Sequence, residues 1–166
     1  MIAIRPERPE DADGIRSITR LAFAGMKHAN GSEHLLIGKL RDAGDLALSL
    51  VAEDDDEEII GHIAFSPVTI SDGTEGWFGL GPVSVLPEHQ AQGVGETLVR
   101  RGLNNMRVAG AKGIVLLGDP EYYARFGFEH DPKLVYPGPP AEYFQRLVFK
   151  GQPPTGTVRY APPFEG

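Results

Sequence analysis

One stretch constrains this chain more than any other: Val83-Ser84-Val85-Leu86-Pro87-Glu88-His89-Gln90-Ala91-Gln92-Gly93-Val94-Gly95-Glu96-Thr97-Leu98-Val99-Arg100-Arg101. Val83 and Val85 alternate with Ser84 as strand residues do, and Pro87 closes the run. From Val94 onward the apolar positions fall at Leu98, Val99, Leu103 and Met106, which is helical spacing, and Gly110 is a natural stop. Gly93 and Gly95 therefore stand where a loop turns into a helix. The first N–H groups of a helix have no intrahelical acceptor, and the macrodipole is positive there. Two positions without Cβ let an anion reach the backbone, so a phosphate is the natural guest. A P-loop needs Gly-Lys-Ser/Thr, and Gly95 is followed by Glu96. The dinucleotide pattern G-x-G-x-x-G fails as well, because Leu98 holds its third glycine position. What is left is Gln90-x-x-Gly93-x-Gly95, which fits both an anion loop and an ordinary strand-to-helix turn.

Composition narrows the function classes. A length of 166 residues suits a single domain with one core, expected over 1–166. A net charge of −7 without a basic stretch argues against nucleic-acid binding. With no cysteine there is no disulfide framework, thiolate-bound zinc or thiol nucleophile. No apolar run approaches the roughly 20 residues of a membrane span, and Met1-Ile2-Ala3-Ile4-Arg5-Pro6 lacks the regions of a signal peptide. The expectation is a cytoplasmic protein without membrane attachment, monomeric or homodimeric.

Taken in order, Ile2 and Ile4 alternate in a first strand ending before Pro6, and Pro9-Glu10-Asp11 opens a helix that buries Ile15, Ile18, Leu21 and Ala22. Ser32 is placed to cap a second helix carrying Leu35, Leu36, Ile37 and Leu40, stopped near Gly44. Leu46, Leu48 and Leu50 alternate as a strand, and Ile59 to Ile70 read as a longer one. The acid run Glu53–Glu58 between them reads as a solvated hairpin tip, not a metal site. After the turn Ser71–Gly76, a strand starts at Trp77; Gly79, Gly81 and Pro82 predict a bulge within it. Gly113–Leu117 is an apolar strand expected parallel to Val83–Leu86 through a right-handed crossover. The two strands are expected to splay at the bulge, baring backbone groups that suit an extended amide-bearing ligand.

Gly118-Asp119-Pro120-Glu121-Tyr122-Tyr123-Ala124-Arg125-Phe126-Gly127-Phe128 follows, with Pro120 and Gly127 bracketing a turn or two of helix. The pair of motifs resembles the GNAT superfamily of acyl-CoA N-acyltransferases. Gln90-x-x-Gly93-x-Gly95 is similar to that family's pyrophosphate loop. Tyr123, four residues before Gly127-Phe128, takes the place of the tyrosine in its second motif. The match covers 1–128; with the tail it resembles a bacterial subgroup of small predicted acetyltransferases. The fold implied is α/β (α+β), a mixed, twisted sheet of about seven strands with helices on both faces. In the tail, 129–166, two closing strands flank the proline-rich Pro137-Gly138-Pro139-Pro140. A sharper reading of the tail has Tyr136, Tyr143 and Phe144 roof an acceptor pocket.

The resemblance implies acetyl-CoA as cosubstrate, no metal, and transfer of acetyl to a primary amine on a small molecule or protein. It assigns the pyrophosphate to the backbone N–H groups of Gln92, Gly93, Val94, Gly95 and Glu96, the pantetheine to the backbone of Val83 and Val85, and further cofactor contacts to Gln90, Thr97 and Phe126. Tyr123 becomes the general acid for the thiolate, since a phenol stays protonated at neutral pH. Its bland alternative is a tyrosine that merely fills the core. Many family members carry an acid on the strand before the glycine loop, but Phe78-Gly79-Leu80-Gly81-Pro82-Val83 has none. The base is therefore open among His62, Glu33, His34 and a water chain, while Ser84, which stands on that strand, is placed to bond the sulfur or a water. His89 and the helix arginines Arg100 and Arg101 read as surface residues, with a phosphate contact for the arginines as the alternative. A non-catalytic acyl-CoA sensor or subunit, and a nucleotide-binding protein of unrelated role, are the competing functions.

Overall fold

The computed structural model describes residues 2–24 and 33–165. The chain divides into two units, Met1–Phe65 with Gly81–Gly102, and Ser66–Leu80 with Leu103–Gly166. A six-stranded mixed sheet runs, in spatial order, Ala3–Pro6, Leu48–Glu53, Ile59–Pro67, Trp77–Val85, Gly113–Leu117 and Phe144–Val148, and a three-stranded sheet runs Thr69–Ile70, Gly156–Arg159 and Leu134–Val135.

In the first unit, β1 (Ala3–Pro6) leads through a 3₁₀ turn at Pro9–Asp11 into α1 (Ala12–Phe23). Asp11 accepts the Arg8 N–H at 2.6 Å and the Arg5 guanidinium at 2.7 and 3.1 Å. The helix start is thereby tied to the strand before it, and Arg5 holds the Asp11 carboxyl below its usual range. α1 buries Ile15, Ile18 and Ala22, whereas Leu21, expected on that face, is 47% exposed. It sits about a quarter-turn round from the centre of the buried stripe. α2 (Glu33–Asp42) buries Ile37 and Leu40; the expected cap Ser32 lies outside the described residues. Gly44 ends it, with Asp45 N–H bonded to Leu40 O and Gly44 N–H to Arg41 O. β2 (Leu48–Glu53) pairs antiparallel with β1 on one side and β3 (Ile59–Pro67) on the other. The acid run makes the hairpin tip, where Asp54 accepts the N–H groups of Asp56 and Glu58. Glu53 instead pairs with Arg5 at 2.7 Å.

The strand expected over Ile59–Ile70 is two strands. β3 stops at Pro67 and β4 (Thr69–Ile70) joins the other sheet, pairing with β9 (Gly156–Arg159). β5 (Trp77–Val85) carries Gly81 at φ 141° and a cis Gly81–Pro82 bond. Val68 N–H bonds to Trp77 O, and Leu86 N–H to Ile60 O. Nine residue steps on β5 thus face eight on β3, so the extra residue of the expected bulge is on β5.

In the second unit, β6 (Gly113–Leu117) lies parallel to β5 as expected, but against Trp77–Gly79, not Val83–Leu86. Its other edge takes β8 (Phe144–Val148), antiparallel over five residues. β7 (Leu134–Val135) runs parallel to β9. The core here is Val68, Ile70, Trp77, Val115, Leu134, Phe144 and Val158, with Tyr136, Val148 and Tyr160 packed on it. Two of the three aromatics expected to roof a pocket, Tyr136 and Phe144, are therefore core packing. Only Tyr143 is exposed, at 45%. The aromatic rings of Tyr136, Phe144, Tyr160 and Phe164 stack in series, and burying them outweighs any use as a lid.

Candidate active site

In the first unit, β5 ends at Val85 and α3 (Val94–Val108) begins nine residues later. The connection is a 3₁₀ turn, Pro87–His89, and then a short bend. The Gln90 side chain reaches back 2.9 Å to the Val85 carbonyl and fastens the loop to the strand. Gly93 has φ 84°, a left-handed conformation that side chains resist, and an added Cβ there would meet nothing within 4 Å. Its glycine is thus needed for conformation, not for room. Gly93 O accepts Thr97 N–H at 3.0 Å and Thr97 Oγ1 at 2.8 Å. Ahead of that first closure lies the first turn of the helix, whose N–H groups point along the axis toward the loop. Val94 is buried, packing where it fixes the helix start, while Ala91, Gln92 and Gly93 are exposed. Gln92 donates at 3.4 Å to Glu88 O, and the Glu96 carboxylate is drawn to Arg100 at 3.3 Å. The result is a fifteen-residue helix whose positive end meets solvent. Val83 and Val85 are half-buried on the strand feeding this loop; Ser84 between them is 1% exposed and its hydroxyl has no protein partner.

In the second unit, α4 (Pro120–Tyr123) is capped by Asp119, which accepts Glu121 N–H at 2.9 Å. A 3₁₀ turn Ala124–Phe126 follows, and Gly127 ends it at φ 95°. Tyr123 lies against Gly118, where a Cβ would stand 2.5 Å from the ring. Gly118 is locked in turn by Tyr143 O, which accepts its N–H at 3.0 Å, and by buried Gln145, which donates to its carbonyl at 3.0 Å. Tyr122, Phe126 and Phe128 surround the Tyr123 ring at centroid distances of 4.9, 6.0 and 6.1 Å. Burial pushes its phenol up to about 12, helped by Tyr122 and Asp119. Tyr122 meets Tyr123 edge-on and has the Arg125 guanidinium 4.2 Å over its own ring.

His62 departs from expectation. It is fully buried, not open to a cleft, and its Nε2 lies 2.7 Å from Ser49 Oγ. Ser49 bonds Glu7 at 2.5 Å, and Glu7 takes both arms of Arg41 at 2.7 and 2.8 Å. Burial lowers the imidazole to about 4, against the pull of Glu7. Burial raises the Glu7 carboxyl, but its bonds to Arg41 and Ser49 outweigh that and hold it low. Sequence reading missed Glu7, Ser49 and Arg41, because they meet only through sheet pairing and α2 packing. His34 sits on the surface groove between α1 and α2 beside Arg16 and Leu35. Among the described residues, no group of three or more His, Cys, Asp or Glu is arranged to hold a metal ion.

Comparison with known proteins places these features. Residues 45–130 match the family model described as an acetyltransferase (GNAT) domain. An Escherichia coli protein described as an uncharacterized N-acetyltransferase, YhbS, is 40% identical over 139 residues, 81% of this chain and 80% of its own. A Brucella melitensis GNAT family acetyltransferase, solved with acetyl-CoA, is 48% identical with a TM-score of 0.88, covering 99% of this chain and 98% of its own. The Escherichia coli YhbS structure, solved with CoA, is 36% identical with a TM-score of 0.90, covering 99% and 92%.

Proposed function

Because this chain belongs to the GNAT acetyltransferase family and is an acyltransferase by that membership, we propose that it moves an acetyl group from acetyl-CoA to a primary amine by direct attack. The observation that carries the reading is the junction of loop and helix at the start of α3, with exposed Gly93 at positive φ just ahead of the first-turn N–H groups. Those groups suit the pyrophosphate of CoA, and both similar structures named above hold CoA or its acetyl ester. Gln90, Gln92 and Thr97 shape that loop. The backbone of Val83 and Val85 takes the pantetheine, and Phe126 makes an apolar contact with the cofactor.

Tyr123 serves the leaving group. A thiol titrates near ~8.5, so full transfer from a phenol near 12 to a free thiolate is uphill by about 5 kcal/mol. Tyr123 therefore donates a hydrogen bond to sulfur as charge develops. Its proton follows as the N–H proton of the acylated nitrogen replaces it. The neutral amine attacks the thioester carbon, the C–S bond breaks, and the products are the amide and CoA thiol. In this reading no covalent enzyme intermediate forms.

Acceptor-dependent release of CoA tests the proposal, with Tyr123→Phe and Tyr122→Phe compared on an amine panel. Tyr123→Phe should lower kcat about 10²-fold with little change in KM for acetyl-CoA, and Tyr122→Phe should behave as wild type. Equal activity of the two variants removes Tyr123 from the reaction. Acetyl-CoA binding without any acceptor-dependent turnover favours a sensor role.

A further inference from the structure

The Tyr123 ring rests on Gly118, where a Cβ would stand 2.5 Å from it. Its other neighbours are the rings of Tyr122, Phe126 and Phe128. These are packing contacts, so the direction of the hydroxyl follows from where the four neighbours stand. The three aromatics come from the same short stretch of chain as Tyr123. Gly118 lies just past the end of β6, and its place is set by the sheet.

The sheet leaves Gly118 half-bonded. β6 and β8 run antiparallel with Leu116 against Gln145 and Leu117 against Phe144, a register that continues to Gly118 against Tyr143. A hydrogen-bonded antiparallel pair exchanges two bonds. Here one forms: Gly118 N–H donates to Tyr143 O at 3.0 Å, while Tyr143 N–H turns back to Pro140 O at 3.1 Å as the turn Ala141–Tyr143 closes. The Gly118 carbonyl thereby loses its ladder donor. The Gln145 side chain replaces it, with Nε2 at 3.0 Å from Gly118 O and 3.4 Å from Tyr143 O. Both neighbours are carbonyls, so the nitrogen end of the amide faces them. Gln145 is buried, and without its donor the peptide between Gly118 and Asp119 is free to turn. That peptide leads into Asp119, whose carbonyl accepts the Tyr123 N–H at 3.0 Å. The backbone anchor and the floor of Tyr123 therefore share one tether.

We propose that Gln145 is a positioning residue for acetyl transfer: its carboxamide fixes the Gly118 peptide, and Gly118 fixes the Tyr123 ring so that the hydroxyl meets the leaving sulfur. The proposal rests on the reading above in which Tyr123 serves the leaving group. There the phenol acts by a hydrogen bond as charge develops, and such a bond weakens steeply as it bends. A small swing of the ring costs rate and leaves the loop at the start of α3 as it was. Gly118 does not have the positive φ of Gly93, so room for the ring is what calls for glycine.

A double-mutant cycle on the full chain tests this. Gln145→Leu removes the donor and should lower kcat about tenfold, with KM for acetyl-CoA within twofold of wild type and thermal stabilisation by acetyl-CoA unchanged. Gln145→Asn keeps an amide one methylene too short for Gly118 O and should lose as much; either variant alone is enough to read the cycle. Gly118→Ala keeps both bonds of residue 118 but displaces the ring, and should lose at least tenfold. In a Tyr123→Phe background each substitution should cost less than twofold, because no hydroxyl is left to place. Structural damage alone costs the same in both backgrounds, and equal losses overturn the proposal. So do Gln145 variants that keep kcat within twofold of wild type, or whose loss falls on KM. Tyr123→Phe with wild-type kcat removes the Tyr123 reading itself, and the role of Gln145 with it.

Discussion

Lowering the pH from 7.5 to 4.5 should destabilise this protein through His62 before its paired carboxylates titrate. The imidazole is buried and titrates at about 4, against 6.5 in the unfolded chain. A depressed histidine pKa means that the unfolded state binds the extra proton first. The contribution is complete above pH 6.5 and is lost as pH falls toward 4. Over the stated range the loss is about 2–3 kcal/mol. With a urea slope of ~2 kcal/mol/M, ordinary for small proteins, the midpoint should drop by about 1–1.5 M. His62→Gln keeps the bond to Ser49 and lacks the titration, so the difference between the two proteins across the pH series isolates the histidine. Glu7 and Asp11, held below their ordinary values by Arg41 and Arg5 among other contacts, titrate lower and in both proteins alike. A difference that stays within about 0.5 kcal/mol across the series refutes the reasoning. So does wild type gaining on the variant as the pH falls, which would mean a raised histidine.

Gly93→Ala tests the loop. Open space surrounds the position but φ is 84°, so the variant should lose about 1 kcal/mol of stability and bind acetyl-CoA more weakly, read by urea melts and ligand titration. Gly79→Ala tests close approach in the second unit. Its Cβ would stand 2.5 Å from the Tyr160 ring, and the variant should lose about 1–3 kcal/mol in the same melts.

The parts of this architecture that were legible in the sequence are those set by neighbours in the chain. Glycines and prolines mark turns through their own backbone limits, so the strand–loop–helix at 83–108, the bulge in β5 and the Asp119–Gly127 turn read directly. Helical spacing located the buried faces of α3 and most of α1. What failed depends on partners far away in sequence. β3 ends at Pro67 because the chain there leaves one sheet for another; the proline stands at the break, but the second sheet that receives Thr69–Ile70 is built from strands far along the chain. β6 follows the right direction but meets Trp77–Gly79, since register is decided by the two side chains' fit and not by either strand alone. His62 alternates with apolar residues as an exposed strand histidine does, yet α2 brings Arg41 and the sheet brings Ser49 and Glu7 to bury it. Tyr136 and Phe144 look alike as pocket or core residues until the second sheet places them. In the candidate site, Gly93 and Tyr123 stood out through their motifs. The Glu7–Ser49–His62 network carries no motif and emerged only from hydrogen bonding.

Thermal unfolding with acetyl-CoA, free CoA and ATP tests the central claim most directly. At about 100 times its dissociation constant a ligand adds roughly 2.7 kcal/mol, a rise in Tm of several degrees for a chain of this size. Acetyl-CoA and CoA should both produce that rise and ATP should not. Equal stabilisation by ATP, or none by millimolar acetyl-CoA, would contradict the assignment of the α3 loop as an acyl-CoA pyrophosphate site.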